Sequence, residues 1–114
     1  MNAGRVDDVL ALYAEEAILL ATFSPHAMRT AATRRLYFEQ LAARSGLHVS
    51  LHEKTVQTQV FVAETEMLSG IYCFRFEIDA EPFSFEARFS MLVNRASPQP
   101  LFHHHSSQIP RTLT

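Results

Sequence analysis

LSGIYCFRFEI, residues 68–78, and FSFEARFSMLV, residues 83–93, decide the fold of this 114-residue chain. In both stretches large apolar side chains alternate with smaller or polar ones at the two-residue period of a half-buried strand. Between them lies Asp79-Ala80-Glu81-Pro82, whose residues are typical of a turn. The two stretches therefore predict one long antiparallel hairpin.

The alternation of apolar and polar side chains also occurs in the sequence before and after this hairpin. Residues 47–52 alternate between aliphatic and polar side chains, which predicts an earlier strand. After the serine- and proline-rich turn at 94–100, a last strand is predicted over residues 101–107 and is closed by Pro110. The second half of the chain is therefore predicted to be sheet.

The first half shows a helical period instead. Apolar residues at three- and four-residue steps predict a short amphipathic helix over residues 6–13. A second helix is predicted over residues 31–44, with Thr30 as its N-cap and Gly46 as its left-handed stop. The apolar run at 17–23 is interpreted as a buried strand, with a further helical segment as the alternative.

Both sides of the second helix carry apolar residues, so it is expected to touch two neighbours. One side has Ala32, Leu36 and Ala43, and the other has Tyr37, Phe38 and Leu41. Helices first and strands afterwards favour an α+β fold over a parallel α/β fold. We expect helices packed in the concave face of one strongly curved antiparallel sheet, a cone whose unfilled end is an internal cavity.

Composition excludes several classes of protein. The chain has 10 basic and 12 acidic residues, a net charge of −2 and no basic cluster, so no nucleic acid partner is expected. Its longest apolar run is far too short to cross a membrane. A signal peptide is not expected, because Asp7 and Asp8 stand where a signal peptide carries positive charge. No membrane partner and a cytoplasmic location are therefore predicted. The lone Cys73 is predicted to be a buried thiol.

Three segments together resemble a known superfamily. These are NAGRVDDVLALYAEEAILL (2–20), EARFSMLVNR (86–95) and LFHHHSSQIP (101–110). In this order they resemble the nuclear-transport-factor-2-like superfamily, above all its small bacterial proteins similar to the calcium/calmodulin-dependent protein kinase II association domain and its SnoaL-like group. The resemblance covers residues 1–114 as a single domain, in which the first helix of the family is expected to be missing.

The resemblance implies a cavity that is open at one end and a homodimer formed through the outer sheet face. It leaves three functions open. The chain is a small-molecule-binding protein, an enzyme like ketosteroid isomerases, polyketide cyclases and dehydratases, or an association module. The implied ligand is a small molecule, either anionic or a hydrophobic carbonyl compound, and no cofactor is expected.

The resemblance, and the side of a strand on which each residue lies, together give candidate ligand-binding residues. Arg75 and Arg88 resemble arginines that enter the cavity of the kinase association domain. The alternative is that Glu77 or Glu86 pairs with them on an exposed sheet surface. The alternation of the strands does not settle which way the two arginines point. Arg88 is not on the more apolar side of residues 83–93, so it would lie outside if that side meets the helices.

His103 and His105 point the same way on the predicted last strand, and His104 points the other way. We expect the pair to line the pocket or its mouth. No metal site is expected, because zinc takes about four ligands and no carboxylate stands beside them.

Tyr13 and Tyr37 are further candidates to line the cavity. Glu53 and Glu77 are candidate acid/base groups, yet neither fits the catalytic pattern of the isomerases.

Overall fold

The computed structural model describes residues 5–110 and contains two helices and one six-stranded sheet. The helices are α1, Val6–Leu10, and α2, Ala31–Ala42. The strands are β1, Tyr13–Leu20; β2, Ala27–Met28; β3, His48–Val62; β4, Thr65–Ile78; β5, Glu81–Asn94; and β6, Leu101–Gln108. They lie in the order β2-β1-β6-β5-β4-β3. The predicted α+β class is confirmed.

The β4–β5 hairpin forms as the alternation predicts, and it pairs without a break from Thr65↔Asn94 to Ile78↔Glu81. Its turn is shorter than predicted. Asp79 and Ala80 alone form it, with φ angles of 50° and 66° that match the primed turns favoured by twisted hairpins. Glu81 therefore already belongs to β5, and Pro82 is tolerated near the start of that strand.

One pair of strands departs from the predicted antiparallel sheet. β1 runs parallel to β6, with Leu19 opposite His104 and Leu20 opposite His105. These two strands lie far apart in the chain, so no tight turn sets their relative direction. Alternation in a sequence identifies the two faces of a strand but not the direction of its neighbour.

The first helix ends earlier than the predicted boundary at residue 13. Helix α1 stops at Leu10, because the carbonyl of Leu12 already accepts the main-chain N–H of Leu101 at 2.8 Å. The next residue, Tyr13, begins β1 and is only 4% exposed. The predicted helical position of Tyr13 is therefore wrong, although its side chain does point into the core.

The predicted ends of helix α2 are largely confirmed. Thr30 caps it by accepting the N–H of Thr33, and the Thr33 hydroxyl accepts the N–H of Thr30 in return. Gly46 follows the helix with a φ of 70°, which glycine adopts without strain. The predicted second contact face is wrong, since Leu36 is 57% exposed and Ala32 and Ala43 are exposed as well.

The buried side of α2 packs against the inner face of the sheet, which we define as the face carrying Leu19, Phe74 and His104. Phe38 and Leu41 contribute the apolar contacts of the helix. The other core residues come from the strands and the segments beside them: Tyr13, Ala17, Leu19, Ala21, Met28, Phe74, Phe76, Ala87, Val93 and Leu101. Helix α2 thus fills one part of the hollow and leaves the rest open.

Two local features shape the sheet opposite the helix. The pairing of β3 with β4 shifts between His52 and Gln57. There the Thr55 hydroxyl donates to the carbonyl of His52 at 2.7 Å and accepts the N–H of Ile71 at 2.9 Å, replacing main-chain bonds. Beside it Gly70 lies opposite Phe89, whose ring would come within 3.0 Å of any Cβ at that position.

Arg34 joins α2 to β1 by hydrogen bonds as well as by packing. Its side chain is buried, at 2% exposure. The guanidinium donates to the carbonyls of Ala17 at 2.7 Å, Ala14 at 3.1 Å and Glu15 at 3.2 Å. The pairing of β1 with β6 is irregular between Tyr13 and Ile18. Arg34 therefore donates hydrogen bonds to carbonyls in a stretch where the regular hydrogen bonding between the strands is interrupted.

Replacing Arg34 by Met should destabilise the fold by about 3 kcal/mol, because one buried carbonyl, that of Ala17, and two part-buried carbonyls lose their donor. Urea unfolding followed by circular dichroism measures this. Arg35→Met is the matched control. Arg35 lies on the exposed side of the helix, where its ion pairs with Asp7 and Glu39 are open to water, and we expect little change there. Equal effects of the two substitutions would contradict the role given to Arg34.

Candidate ligand cavity

A cavity of about 160 Å³ lies between α2 and the inner face of the sheet. Apolar cavities of this size bind molecules as large as benzene. Most of the side chains that line it are apolar, and they come from both helices, five strands and the segments just before and after β1. The lining is Val9, Leu12, Tyr13, Leu19, Ala21, Thr22, Tyr37, Phe38, Leu41, Val49, Tyr72, Phe74, Met91, Leu101, His104 and Ser106. Leu12, which is 47% exposed, connects the lining to the surface.

One chain of hydrogen bonds crosses this apolar lining. The Tyr13 hydroxyl lies 2.7 Å from Nδ1 of His104, and the Tyr72 hydroxyl lies 3.1 Å from Nε2 of the same ring. Near the Tyr72 hydroxyl, the hydroxyls of Thr22 and Ser106 are hydrogen-bonded to each other. Both nitrogens of His104 therefore have partners, as a buried imidazole requires.

The electrostatics of the cavity keep its groups uncharged. Burial lowers the pKa of His104 to about 4, with smaller contributions from the neighbouring His103 and His105. Burial likewise raises the pKa of Tyr37 to about 12 and moves the pKa of Tyr13 and of Tyr72 upward. No carboxylate, lysine or arginine is among the described residues that line the cavity. At neutral pH this lining is therefore polar in places but carries no charge.

The predicted ligand-binding residues divide between the two sides of the sheet. Tyr13 and Tyr37 line the cavity. Arg75, Arg88 and His105 pair across the strands with Ser84, Ser107 and Ser90, which places them on the opposite, outer face. His103, opposite Leu92, lies on that face as well. The six residues are therefore not brought together in one site.

The carboxylates proposed for Arg75 and Arg88 have other partners. Glu77 accepts a hydrogen bond from the Ser45 hydroxyl at 3.2 Å, and Glu86 lies 3.8 Å from His52. Within residues 5–110 neither arginine has a carboxylate within 4.0 Å. Both arginines are exposed on the outer face, and Glu53 is exposed on the edge strand β3.

The outer face also has a depression of about 520 Å³ beside Arg75, His52 and Glu86. Cys73 lies at its floor. The sequence prediction of a buried free thiol is confirmed, since Cys73 is 4% exposed and unpaired. No group of three or more metal-binding side chains occurs in the part of the chain that the structure describes.

Sequence reasoning missed three residues that matter in this region. His104 is one of them, because the alternation of the strand shows only that it points away from His103 and His105 and not that its side is the inner face. Tyr72 was treated as an ordinary strand aromatic. Arg34 lies four residues before Phe38 and seven residues before Leu41, and that spacing puts all three on one side of α2.

No protein-family model matches the sequence, and no curated protein sequence matches it significantly. The structure, however, resembles solved structures. A candidate calcium/calmodulin-dependent protein kinase II association domain from Xanthomonas campestris superposes with a TM-score of 0.84 at 19% identity, over 97% of this chain and 79% of that chain. A ketosteroid isomerase-like protein from Erwinia carotovora atroseptica superposes with a TM-score of 0.77 at 11% identity, over 96% and 85%.

A third similar structure is a candidate dehydratase of the nuclear-transport-factor-2-like family from Streptomyces avermitilis. Its TM-score is 0.77 at 12% identity, over 96% of this chain and 85% of that chain. At such identities the likeness establishes the fold alone. The chain has the nuclear-transport-factor-2-like fold that the sequence resemblance implied. Among the described residues no helix is long and apolar enough to cross a membrane.

Stability should fall as the pH drops from 6.5 toward 4. The pKa of His104 is about 4 in the folded protein and 6.5 for a free histidine, so the unfolded chain binds the proton first. The stabilisation is complete above 6.5 and is lost through this window, by about 3 kcal/mol. Urea unfolding across the pH range measures it.

His104→Gln keeps a donor and an acceptor but cannot titrate, so it should flatten the pH dependence. His105→Gln, on the exposed outer face, should leave the pH dependence as it is. A profile that is unchanged in His104→Gln would show that this side chain does not titrate as described.

Proposed function

We propose that this protein binds a small, largely apolar molecule in the cavity between α2 and the sheet. The observation that carries the proposal is the cavity itself, about 160 Å³ in volume and lined mainly by aliphatic and aromatic side chains. A native interior is normally packed without voids of this size, because each unfilled volume forfeits contacts. Concave apolar pockets with a few placed polar groups are the usual form of a small-molecule site.

The groups in the cavity favour binding over acid/base chemistry. An isomerase or dehydratase of this fold type would need a side chain that exchanges a proton near neutral pH. His104 stays neutral because its pKa is about 4, and both of its nitrogens are already hydrogen-bonded. The carboxylates proposed as catalytic, Glu53 and Glu77, do not line the cavity. A ligand-binding role therefore fits these residues better than an enzymatic one.

Toluene should stabilise the protein by occupying the cavity, by about 2.7 kcal/mol at a concentration one hundred times its dissociation constant. Isothermal titration calorimetry and thermal unfolding measure this. Ala21→Leu, in the lining, should remove the binding because the added side chain occupies the space.

Ala43→Leu introduces the same group at an exposed position just after α2 and should leave toluene binding intact. If toluene binds equally well to the two folded variants, it binds elsewhere and the proposal for the cavity fails.

The second part of the proposal is that the protein forms a homodimer through the outer face of the sheet. Arg75 and Arg88 have no carboxylate partner in the described part of their own chain, and half-buried Ile71 and Leu92 lie on the same face. In a two-fold dimer the same face meets itself. Glu86 of a second copy would then be available to the arginines, and the apolar side chains would be covered.

Arg88→Glu should weaken this dimer about tenfold or more, because it replaces an attractive charge with a repulsive one beside Glu86. Sedimentation equilibrium of the variant against the wild type measures the dissociation constant. Arg35→Glu is the control and should not change it, because Arg35 lies on the exposed side of α2, which packs on the opposite side of the sheet from the outer face. A wild-type monomer at micromolar concentration would contradict the dimer, and a closed ring larger than a dimer would favour the association-module hypothesis instead.

A further inference from the structure

The histidines of residues 5–110 are concentrated on one side of the sheet. His104 is buried on the inner face, and His26 is exposed in the segment before β2. The other four lie on the outer face, where the strand register places them opposite Arg75, Ile71, Leu92 and Ser90 respectively: His48, His52, His103 and His105. Three of the four are exposed and His103 is half-buried, so all of them can exchange protons with water.

The fixed charges of the same face cancel. At the paired positions of β3 to β6, Arg75 and Arg88 are matched by Glu77 and Glu86. Residues 53–54, where the register of β3 shifts, add one charge of each sign. Histidine is the side chain that normally changes its charge between about pH 5 and 8. The outer face is therefore electrically balanced when its histidines are neutral, and it is strongly cationic when they are protonated.

Positive charge on His103 and His105 has no cross-strand carboxylate to balance it. The neighbours of these two rings on β1 and β5 are uncharged: Ile18, Leu20, Ser90 and Leu92. The nearest acidic side chains along β1 are Glu15 and Glu16, which border a depression together with Arg29. Protonation of the two rings on β6 therefore adds to the positive charge of the face.

The two histidines of β3 act in the same direction. His48 lies opposite Arg75, so a proton there places two like charges side by side. Nδ1 of His52 lies 3.8 Å from Glu86, which attracts the protonated ring. That attraction draws Glu86 into an ion pair within its own chain, and it withdraws the carboxylate that the arginines of a second copy would use.

We propose that the dimer formed through the outer face is controlled by pH, and that it dissociates as its four histidines gain protons below about pH 6.5. This inference rests on the proposed homodimer and adds its regulation. In a two-fold dimer the outer face meets itself, so each charge that one copy gains faces a surface that has gained the same charge. The separated chains then bind more protons than the dimer does, so association strengthens as the pH rises.

Sedimentation equilibrium of the wild-type chain at pH 8, 7 and 6 measures this dependence. We expect the dissociation constant to rise about tenfold or more for each pH unit below pH 7, because dissociation takes up at least one proton. Circular dichroism at each pH shows that the chain stays folded, which matters because His104 lowers the stability of the fold over the same range.

A fourfold variant tests whether the outer histidines carry the effect. It combines four substitutions: His48→Gln, His52→Gln, His103→Gln and His105→Gln. We expect its dissociation constant to vary less than about threefold between pH 8 and pH 6, since glutamine takes up no proton. His26→Gln is the matched control, because His26 is exposed but lies outside strands β3 to β6, and it should keep the wild-type pH dependence.

The outcomes separate this inference from the dimer on which it rests. A wild-type chain that is a dimer at pH 8 and equally tight at pH 6 leaves the dimer in place and overturns the inference. An unchanged pH dependence in the fourfold variant overturns it as well. A wild-type monomer at pH 8 removes the proposed dimer and the inference together, while toluene binding tests the cavity independently.

A further measurement needs no variant. At pH 6, raising the ionic strength to about 1 M shortens the Debye length to about 3 Å, so repulsion between the protonated faces is screened. We expect the dissociation constant at pH 6 to fall about three- to tenfold in high salt. If salt does not restore association at pH 6, charge repulsion is not the cause of dissociation and the inference is wrong.

Discussion

The buried guanidinium of Arg34 is the interaction on which the arrangement of this fold depends. Apolar packing alone would let α2 slide on the inner face, because hydrophobic contacts have no direction. Three directed hydrogen bonds to the carbonyls of Ala14, Glu15 and Ala17 fix the helix against β1 instead. They also hold the irregular stretch of β1, from which Tyr13 reaches the cavity. A single side chain thus positions one wall of the cavity relative to the other.

The cationic charge of Arg34 suits this role. Carbonyl groups carry the negative end of a dipole, so three of them stabilise a guanidinium without a carboxylate. The carbon of the guanidinium also lies 5.8 Å from the centroid of the Tyr13 ring, within range of a cation–π contact. The planar fork of arginine can reach several acceptors at once, which the single ammonium of lysine cannot do in the same geometry.

Much of the fold could be predicted from the sequence, because alternation and capping are local signals. The alternation of apolar and polar side chains predicted β4 and β5, and Thr30 and Gly46 predicted the ends of α2. The end of α1 at Leu10 could not be predicted, because the bond between Leu12 and Leu101 that ends it joins residues far apart in the chain. The parallel pairing of β1 and β6 is non-local for the same reason.

The candidate site was less accessible to sequence reasoning. Parity correctly separates His104 from His103 and His105, yet it does not say which of the two faces encloses the cavity. That choice depends on the side against which α2 packs. Arg75 and Arg88 were chosen through a resemblance, and the register of β4 with β5 places both on the outer face. The resemblance therefore favoured these charged side chains over the neutral network that lines the hollow.

The difference between the two faces follows from desolvation. His103 and His105 remain in contact with water, while one residue between them, His104, is 7% exposed and shares its nitrogens with two tyrosines. Burial without a charged partner disfavours the imidazolium, so His104 serves as a fixed donor and acceptor and not as a proton carrier. A fold of this type hosts both enzymes and binding proteins. In this chain the titratable side chains that line the cavity are Tyr13, Tyr37, Tyr72 and His104, and burial favours the uncharged form of each of them.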